Sequence, residues 1–215
     1  MTEVSVLGRD ERRARTLAAR LAERLDLATS IGTDGDTRIV VPSSPFADQE
    51  ARLAATGGRV LVRWDDLPEL RQAVADRLTA ASGADAKAVL VVPAFPATTT
   101  RDEGELIDDV DRFGREAVEA AGLDPWAAAA IAWEPDSPAD DYGVRTIEVI
   151  GGLADLGRTS RVVVVPVGVD ADHPGVVAAQ ERGEAAGLTV ETASRADTDG
   201  SVLDALAARL VEAAA

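Results

Sequence analysis

The only histidine of the 215-residue chain follows a run of valines. Residues 161–175 read RVVVVPVGVDADHPG, and the valines predict a buried strand because β-branched residues favour strands. Open parallel sheets bind ligands at the carboxyl ends of their strands. We therefore expect Asp170, Asp172 and His173 to form a polar site in which the imidazole accepts a proton or binds a divalent cation. The two carboxylates are expected to raise the pKa of His173.

A structural interpretation of the same segment stays open. Pro174 suits the first position of a helix, and Asp172 or His173 would then cap the free N–H groups of its first turn. Gly168 would let the backbone bend after the strand. The segment thus fits a helix start as well as a reactive site.

Two further polar segments follow predicted strands. Residues 132–145, AWEPDSPADDYGVR, form a long acidic loop in which Asp140 offers a carboxylate ligand, although no spacing here matches a calcium loop. An acid-rich turn without a ligand is the alternative. Residues 93–106 contain Thr100 and Glu103 at the spacing of a capping box, which predicts a helix start.

Missing residues and the charge balance exclude several classes of function. The chain has no cysteine, which excludes disulfides and thiolate metal sites. It has no G-x-G-x-x-G, Walker A, G-x-S-x-G or H-E-x-x-H motif, so we expect no nucleotide cofactor and none of the common serine or zinc hydrolase sites. With 38 acidic and 22 basic residues the formal charge is −16, which argues against a nucleic-acid partner.

Hydrophobic patterning argues against a membrane protein. No apolar run approaches the roughly 20 residues that span a bilayer. The first residues, MTEVSVLGRDERR, do not follow the order of a signal peptide. We expect a cytoplasmic protein with no membrane partner.

Short β-rich runs alternate with segments of helical period, which predicts an α/β fold with a mostly parallel sheet. The predicted strands are 3–7, 37–42, 59–63, 88–93, 126–133, 161–166 and 188–192. The predicted helices include 12–27, a helix starting near Pro68, and a closing helix over 201–214 that Asp199 or Ser201 caps. SGADAK interrupts the pattern near residue 86, which predicts an N-terminal domain over 1–86 and a C-terminal domain over 87–215. Val-Val-Pro recurs at 40–42, 91–93 and 164–166, which favours two similar halves.

The C-terminal half resembles the class II chelatases, the superfamily of ferrochelatases and sirohydrochlorin cobaltochelatases. The resemblance covers about residues 88–214 and runs in order through AVLVVPAFPA, AIAWEPDSPADDYGV, RVVVVPVGVDADH and SVLDALAARLVEA. The third segment is similar to the Val-Pro-x-x-Phe-x-x-Asp-His segment of ferrochelatases. The opening LGRDERRARTLAARLAERL is more faintly similar to that of cobaltochelatases.

The resemblance implies two Rossmann-like lobes with parallel sheets and flanking helices, facing each other across a cleft. It also implies a tetrapyrrole ligand into which a divalent metal is inserted, with iron, cobalt or nickel as the substrate. His173 and Asp172 would then be the catalytic pair. Two positions depart from the family, since Phe95 stands where a histidine is expected and Gly175 where a glutamate is expected. Glu134, Asp140 or a partner subunit would have to supply the missing metal ligand beside His173.

Tetrapyrrole carboxylates require cationic partners, and arginine suits them best. Candidates near strand ends are Arg9, Arg12, Arg13, Arg101 and Arg145, of which Arg9 and Arg101 are the first choices. A flat apolar wall would be supplied by Phe46, Phe95, Trp133 and Tyr142, although a core position is the commoner fate of such residues.

Two functions therefore remain open at this point. The first is a chelatase-like enzyme. The alternative is a catalytically degenerate homologue that binds tetrapyrrole or metal, or that acts as a non-catalytic subunit beside an active paralogue or in a homo-oligomer.

Overall fold

The computed structural model describes residues 4–8, 11–25, 29–31, 37–46, 55, 57–82, 88–93, 103–123, 128–130 and 160–215. The strands are β1 Val4–Leu7, β2 Thr29–Ile31, β3 Ile39–Pro42, β4 Val60–Leu61, β5 Ala88–Pro93, β6 Ala128–Ala130, β7 Arg161–Val167 and β8 Thr189–Thr192. The helices are α1 Glu11–Ala22, α2 Pro68–Ser82, α3 Glu103–Ala120, α4 Pro174–Ala185 and α5 Gly200–Ala214.

The eight strands form two four-stranded sheets with the same internal order. The first sheet runs β2-β1-β3-β4 and the second β6-β5-β7-β8. Every pairing is parallel. In each sheet the second and third strands of the chain lie on opposite sides of the first, so the strand order reverses there. Open α/β sheets bind ligands beside such a switch point. The described residues thus form a mixed α/β fold with two small parallel sheets, as the alternating pattern predicted.

Prolines and caps begin several helices where the sequence predicted them. Pro68 and Pro174 are the first residues of α2 and α4, the position in which a missing N–H costs nothing. Asp199 caps α5, because its side chain accepts a hydrogen bond from the Ser201 N–H at 3.1 Å. Thr100 lies outside the described residues, and α3 begins at its predicted capping partner, Glu103.

One hydrophobic cluster contains residues from both halves of the chain. The helix α5 contacts α1, α2 and β3, so the last helix packs on elements of the first half. Trp64, almost fully buried, donates from its indole N–H to the Pro42 carbonyl at 3.0 Å. This bond connects the end of β3 with the loop after β4.

Most predicted strands coincide with observed ones, with a few differences. The strand β2 was not predicted, because Thr29–Ile31 is three residues long at a sheet edge and carries too little apolar pattern to be recognised. The helix α1 ends at Ala22 rather than at 27. The run 126–133 contains β6 at Ala128–Ala130, and its other residues lie outside the described part, as does the predicted boundary near residue 86. The division into domains stays a prediction. Among the described helices, none is long and apolar enough to span a bilayer.

Candidate functional site

A cavity of about 490 Å³ lies at the carboxyl ends of strands from both sheets, beside the first helix. We call it the first cavity. Its lining residues are Arg12, Arg13, Thr16, Leu17, Arg20, Ser43, Trp64, Asp170, Asp172, Arg195, Asp197, Thr198 and Leu203. They come from α1, from the loops after β3, β4, β7 and β8, and from the first turn of α5.

The charge of this lining differs from that of the whole chain. Four guanidinium groups face three carboxylates there, whereas the chain carries a formal charge of −16. A concave region that is locally cationic within an acidic protein concentrates anions. The first cavity is therefore suited to an anionic ligand.

Arg195 and Asp197 form a paired fork after β8. The Arg195 Nε donates to Asp197 Oδ1 at 3.1 Å, and its Nη2 donates to Asp197 Oδ2. Asp197 is only 2% exposed and also accepts the Gly168 N–H at 3.0 Å. Burial alone would lower the pKa of Arg195, but its bonds to Asp197 and Asp170 raise it. Arg195 therefore stays charged although its side chain is only 17% exposed.

Gly168 joins the second sheet to the first. Its carbonyl accepts a hydrogen bond from Arg13 Nη1 and one from Ser44 Oγ at 3.4 Å. Its φ is +73°, in the left-handed region that side chains disfavour. A Cβ at this position would also lie well inside van der Waals contact with Ser44 Oγ. Both constraints require glycine here.

Asp170 lies between two arginines at the edge of the cavity. Its Oδ1 accepts a hydrogen bond from Arg195 Nη1 at 2.7 Å, and its Oδ2 is 3.7 Å from Arg13 Nη2. Burial is the largest single influence and raises the pKa of Asp170, but the hydrogen bond from Arg195 and the charges of Arg195, Arg13 and Arg12 together lower it. The carboxylate is therefore ionised at neutral pH.

His173 is half-buried at the start of α4. Its backbone carbonyl accepts hydrogen bonds from the N–H groups of Val176 and Val177 at 2.9 and 3.0 Å, as expected for a helix that begins at Pro174. The side-chain cap by Asp172 or His173 stays a prediction. Burial, followed by the Arg13 charge, lowers the pKa of His173 to about 4, and Asp172 and Asp170 only partly oppose this. The expectation that the two carboxylates would raise this pKa is wrong, because desolvation and Arg13 outweigh them. The imidazole is neutral at pH 7.

A second cavity, of about 200 Å³, lies beside α3. It is lined by Phe46, Arg63, Asp65, Asp66, Arg71, Asp109, Arg112, Phe113 and Glu116. Each of these nine residues has a positional counterpart in the lining of the first cavity. The two cavities are therefore built from equivalent elements of the two halves.

The equivalence is clearest after the fourth strand of each sheet. Arg63 and Asp65 lie five and three residues before Pro68, where α2 begins, and Arg195 and Asp197 lie five and three residues before Gly200, where α5 begins. The Arg63 Nε donates to Asp65 Oδ1 at 3.0 Å and its Nη2 to Oδ2. This is the same two-bond geometry as in the Arg195 and Asp197 pair.

Helices and loops repeat the correspondence. Four residues of α1 with spacing i, i+3, i+4 and i+7 line the first cavity, namely Arg13, Thr16, Leu17 and Arg20. Four residues of α3 with the same spacing line the second cavity, in the corresponding order Asp109, Arg112, Phe113 and Glu116. Asp170 lies four residues after Pro166, and its counterpart Phe46 lies four residues after Pro42. The rings of Phe46 and Phe113 meet edge to face at 5.2 Å and belong to the core.

The described residues include few of the predicted site residues. Asp172 lines the first cavity. His173, the next residue in the chain, is not among the residues that line it. Arg12 and Arg13, named among the arginine candidates, also line it. The remaining predicted residues lie outside the described part of the chain: Arg9, Phe95, Arg101, Trp133, Glu134, Asp140, Tyr142 and Arg145.

Sequence reasoning missed Arg20, Arg195 and Asp197. The repeated Arg-x-Asp at a fixed distance before a helix is the signal that would have found two of them. Within the part of the chain that the structure describes, no group of three histidine, aspartate or glutamate side chains is arranged to hold a metal ion.

Comparison with known proteins gives no family for this chain. No protein-family model matches it, and no curated protein matches it either. The chelatase resemblance stays a prediction from the residues quoted above.

Proposed function

We propose that the protein is a chelatase-like enzyme of two Rossmann-like lobes. In this proposal the first cavity binds a carboxylate-bearing tetrapyrrole, and a divalent metal, iron, cobalt or nickel, is inserted into the macrocycle. The observation that carries the proposal is the arginine-rich cavity at the carboxyl ends of strands from two sheets of identical order.

Size and chemistry of the cavity support this ligand class. A volume of about 490 Å³ falls within the roughly 300–1,000 Å³ of small-molecule sites. Arginine recognises carboxylates through paired hydrogen bonds, which no other cation in proteins matches. Arg12 and Arg20 line the cavity, and neither forms an ion pair with a carboxylate of the described residues. Arg20 Nη1 donates to the Thr198 carbonyl at 3.2 Å, so both side chains keep a charge that no carboxylate neutralises.

The proposed chemistry needs a proton acceptor. Insertion of a divalent metal replaces two pyrrole N–H bonds by two nitrogen–metal bonds, so two protons leave the macrocycle. Because the pKa of His173 is lowered to about 4, its imidazole is neutral at pH 7 and can serve as a ligand for the incoming metal substrate, while the same low pKa makes it a weak base. Asp172, which lines the cavity, would pass the pyrrole protons to solvent.

The second candidate is tetrapyrrole binding without insertion. Phe95 and Gly175 stand where the resembled family is expected to carry a histidine and a glutamate. Phenylalanine and glycine offer neither a ligand nor a base. A protein with the arginine cavity alone would bind the macrocycle and leave it unmetallated.

Absorption spectroscopy separates the two candidates. Titration of purified protein with sirohydrochlorin, and in parallel with a porphyrin, should show a spectral shift on binding. The double variant Arg12→Ala with Arg20→Ala should weaken this binding about tenfold, since it removes two charge-assisted contacts. Arg182→Ala, an exposed arginine of α4 that lines neither cavity, should leave it unchanged.

Addition of Fe²⁺, Co²⁺ or Ni²⁺ then tests the enzyme. Accelerated metallation by the wild type, lost in His173→Gln while binding is kept, supports the chelatase. Binding without acceleration supports the second candidate. Absence of binding of both macrocycles overturns both.

A further inference from the structure

We propose that Asp170 is an internal substitute for a ligand carboxylate, held between Arg13 and Arg195 until a carboxylate of the ligand displaces it. This inference rests on the proposed use of the first cavity as a ligand site, but not on metal insertion. It assigns the ligand class that the Arg13 and Arg195 pair recognises, and it names the residue that sets its affinity.

The side chain of Asp170 is much more exposed than those of Arg13 and Arg195, as an exchange with a ligand carboxylate requires. Asp170 is 56% exposed, whereas Arg13 and Arg195 are 15% and 17% exposed. The two cations are thus fixed in the wall of the cavity, and the anion reaches them from the solvent side. A carboxylate arriving from the cavity meets the same two guanidinium groups.

Each of the two arginines has a hydrogen-bond partner other than Asp170. Arg195 is held by the two-bond fork to the buried Asp197, and Arg13 donates to the Gly168 carbonyl. Preorganised cations bind an incoming anion without a further ordering cost. Displacement of Asp170 therefore exchanges one carboxylate for another at a site that is already formed.

The second cavity shows that the fold does not need a carboxylate at this position. Phe46, the counterpart of Asp170, is buried there against Phe113. Arg63, the counterpart of Arg195, keeps its fork to Asp65 beside that phenylalanine. The loop after this strand therefore does not require a carboxylate for folding. Asp170 is specific to the first cavity.

Calorimetry with propane-1,2,3-tricarboxylate as the probe tests the inference. Asp170→Asn keeps the shape of the side chain and removes the competing charge, so it should bind the probe about tenfold more tightly than the wild type. Asp204→Asn is the matched control. Asp204 is 69% exposed and pairs with Arg24 at 2.7 Å, and it lines neither cavity, so the same charge change there should leave the affinity unaltered.

Equal or weaker binding by Asp170→Asn overturns the inference, and so does an equal gain in Asp204→Asn. Inorganic phosphate is the second arm, and a gain as large as that for the tricarboxylate would overturn the assignment to carboxylates. Thermal melting of each variant confirms that it is folded. A tightened tricarboxylate site in a protein that binds no tetrapyrrole would support this inference while the proposed function fails.

Discussion

The two cavities occupy equivalent places but hold different chemistry. Both combine an Arg-x-Asp fork after a fourth strand with four positions on the first helix of the opposite half. The first cavity is more than twice as large and carries Arg13 and Arg20 where the second carries Asp109 and Glu116. The forks and the helix positions, which both cavities share, are structural features of the fold. The charged side chains that only the first cavity carries are available to bind a ligand.

Charged residues that recur in both cavities differ in role from those that only the first cavity contains. Arg195 and Asp197 recur in the second cavity as Arg63 and Asp65, so their fork is first of all structural. Arg13 and Asp170 have no chemical equivalent there, because their counterparts are an aspartate and a phenylalanine. Affinity for an anion should therefore depend on residues of the second kind together with Arg195, while stability should depend on the forks.

Removing the buried carboxylate of each fork should cause the largest loss of stability. Asp197→Ala leaves the Nε and Nη2 groups of Arg195 and the Gly168 N–H without their acceptor and should lower the free energy of unfolding by about 4 kcal/mol. Asp65→Ala should lower the free energy of unfolding by about 2 kcal/mol, because Arg63 is 38% exposed and can be hydrated more easily than Arg195. Urea denaturation measures both. A fork that can be removed without loss of stability would break the proposed equivalence.

The next largest loss of stability is expected when Gly168 receives a side chain. Gly168→Ala combines a disfavoured φ with overlap against Ser44 Oγ and should cost about 3 kcal/mol. Gly187 is the matched control, since its φ is +76° but a Cβ there meets nothing within 4 Å. Gly187→Ala should cost only about 1 kcal/mol.

A double variant separates the two parts of this cost. Ser44→Ala together with Gly168→Ala should recover part of the difference between the two glycine variants, because the overlapping hydroxyl is gone. Equal losses in Gly168→Ala and Gly187→Ala would show that the close approach of Ser44 has no energetic weight.

Sequence pattern predicted what depends on local chemistry. The valines of β7, the first-turn prolines of α2 and α4, and the Asp199 cap of α5 each carry their structural reason within a few residues. The Val-Val-Pro repeat also favoured related halves. Its copies at 40–42 and 164–166 lie in the third strand of each sheet, whereas the copy at 91–93 ends β5.

The candidate site depends on contacts that the sequence does not display. Arg13 and Gly168 are 155 residues apart in the chain, and Arg195 reaches Asp170 across 25 residues. Local spacing cannot show which of many surface arginines face one cavity. The pKa of His173 was predicted in the wrong direction for the same reason, since its sequence neighbours are acidic but its burial and Arg13 come from the tertiary fold.

The smallest effect is a pH dependence that belongs to His173. The folded protein holds this imidazole neutral down to about pH 4, because burial and then Arg13 lower its pKa while Asp172 and Asp170 raise it less. In the unfolded chain the imidazole takes up a proton near its ordinary pKa of 6.5. Between these values the unfolded chain binds more protons, so the free energy of unfolding should fall by on the order of 2 kcal/mol as the pH drops from 6.5 to 4.

Urea denaturation of the wild type and of His173→Gln at several pH values isolates this contribution. Since His173 is the only histidine, the difference between the two proteins removes the common titration of carboxylates. The wild type should lose its advantage over the variant on acidification, and a difference that stays constant from pH 6.5 to 4 would contradict the burial of the imidazole beside Arg13. Because Asp65 and Arg63 have no histidine near them to titrate in this range, the same comparison assigns the pH-dependent loss to the side of the molecule that carries the first cavity.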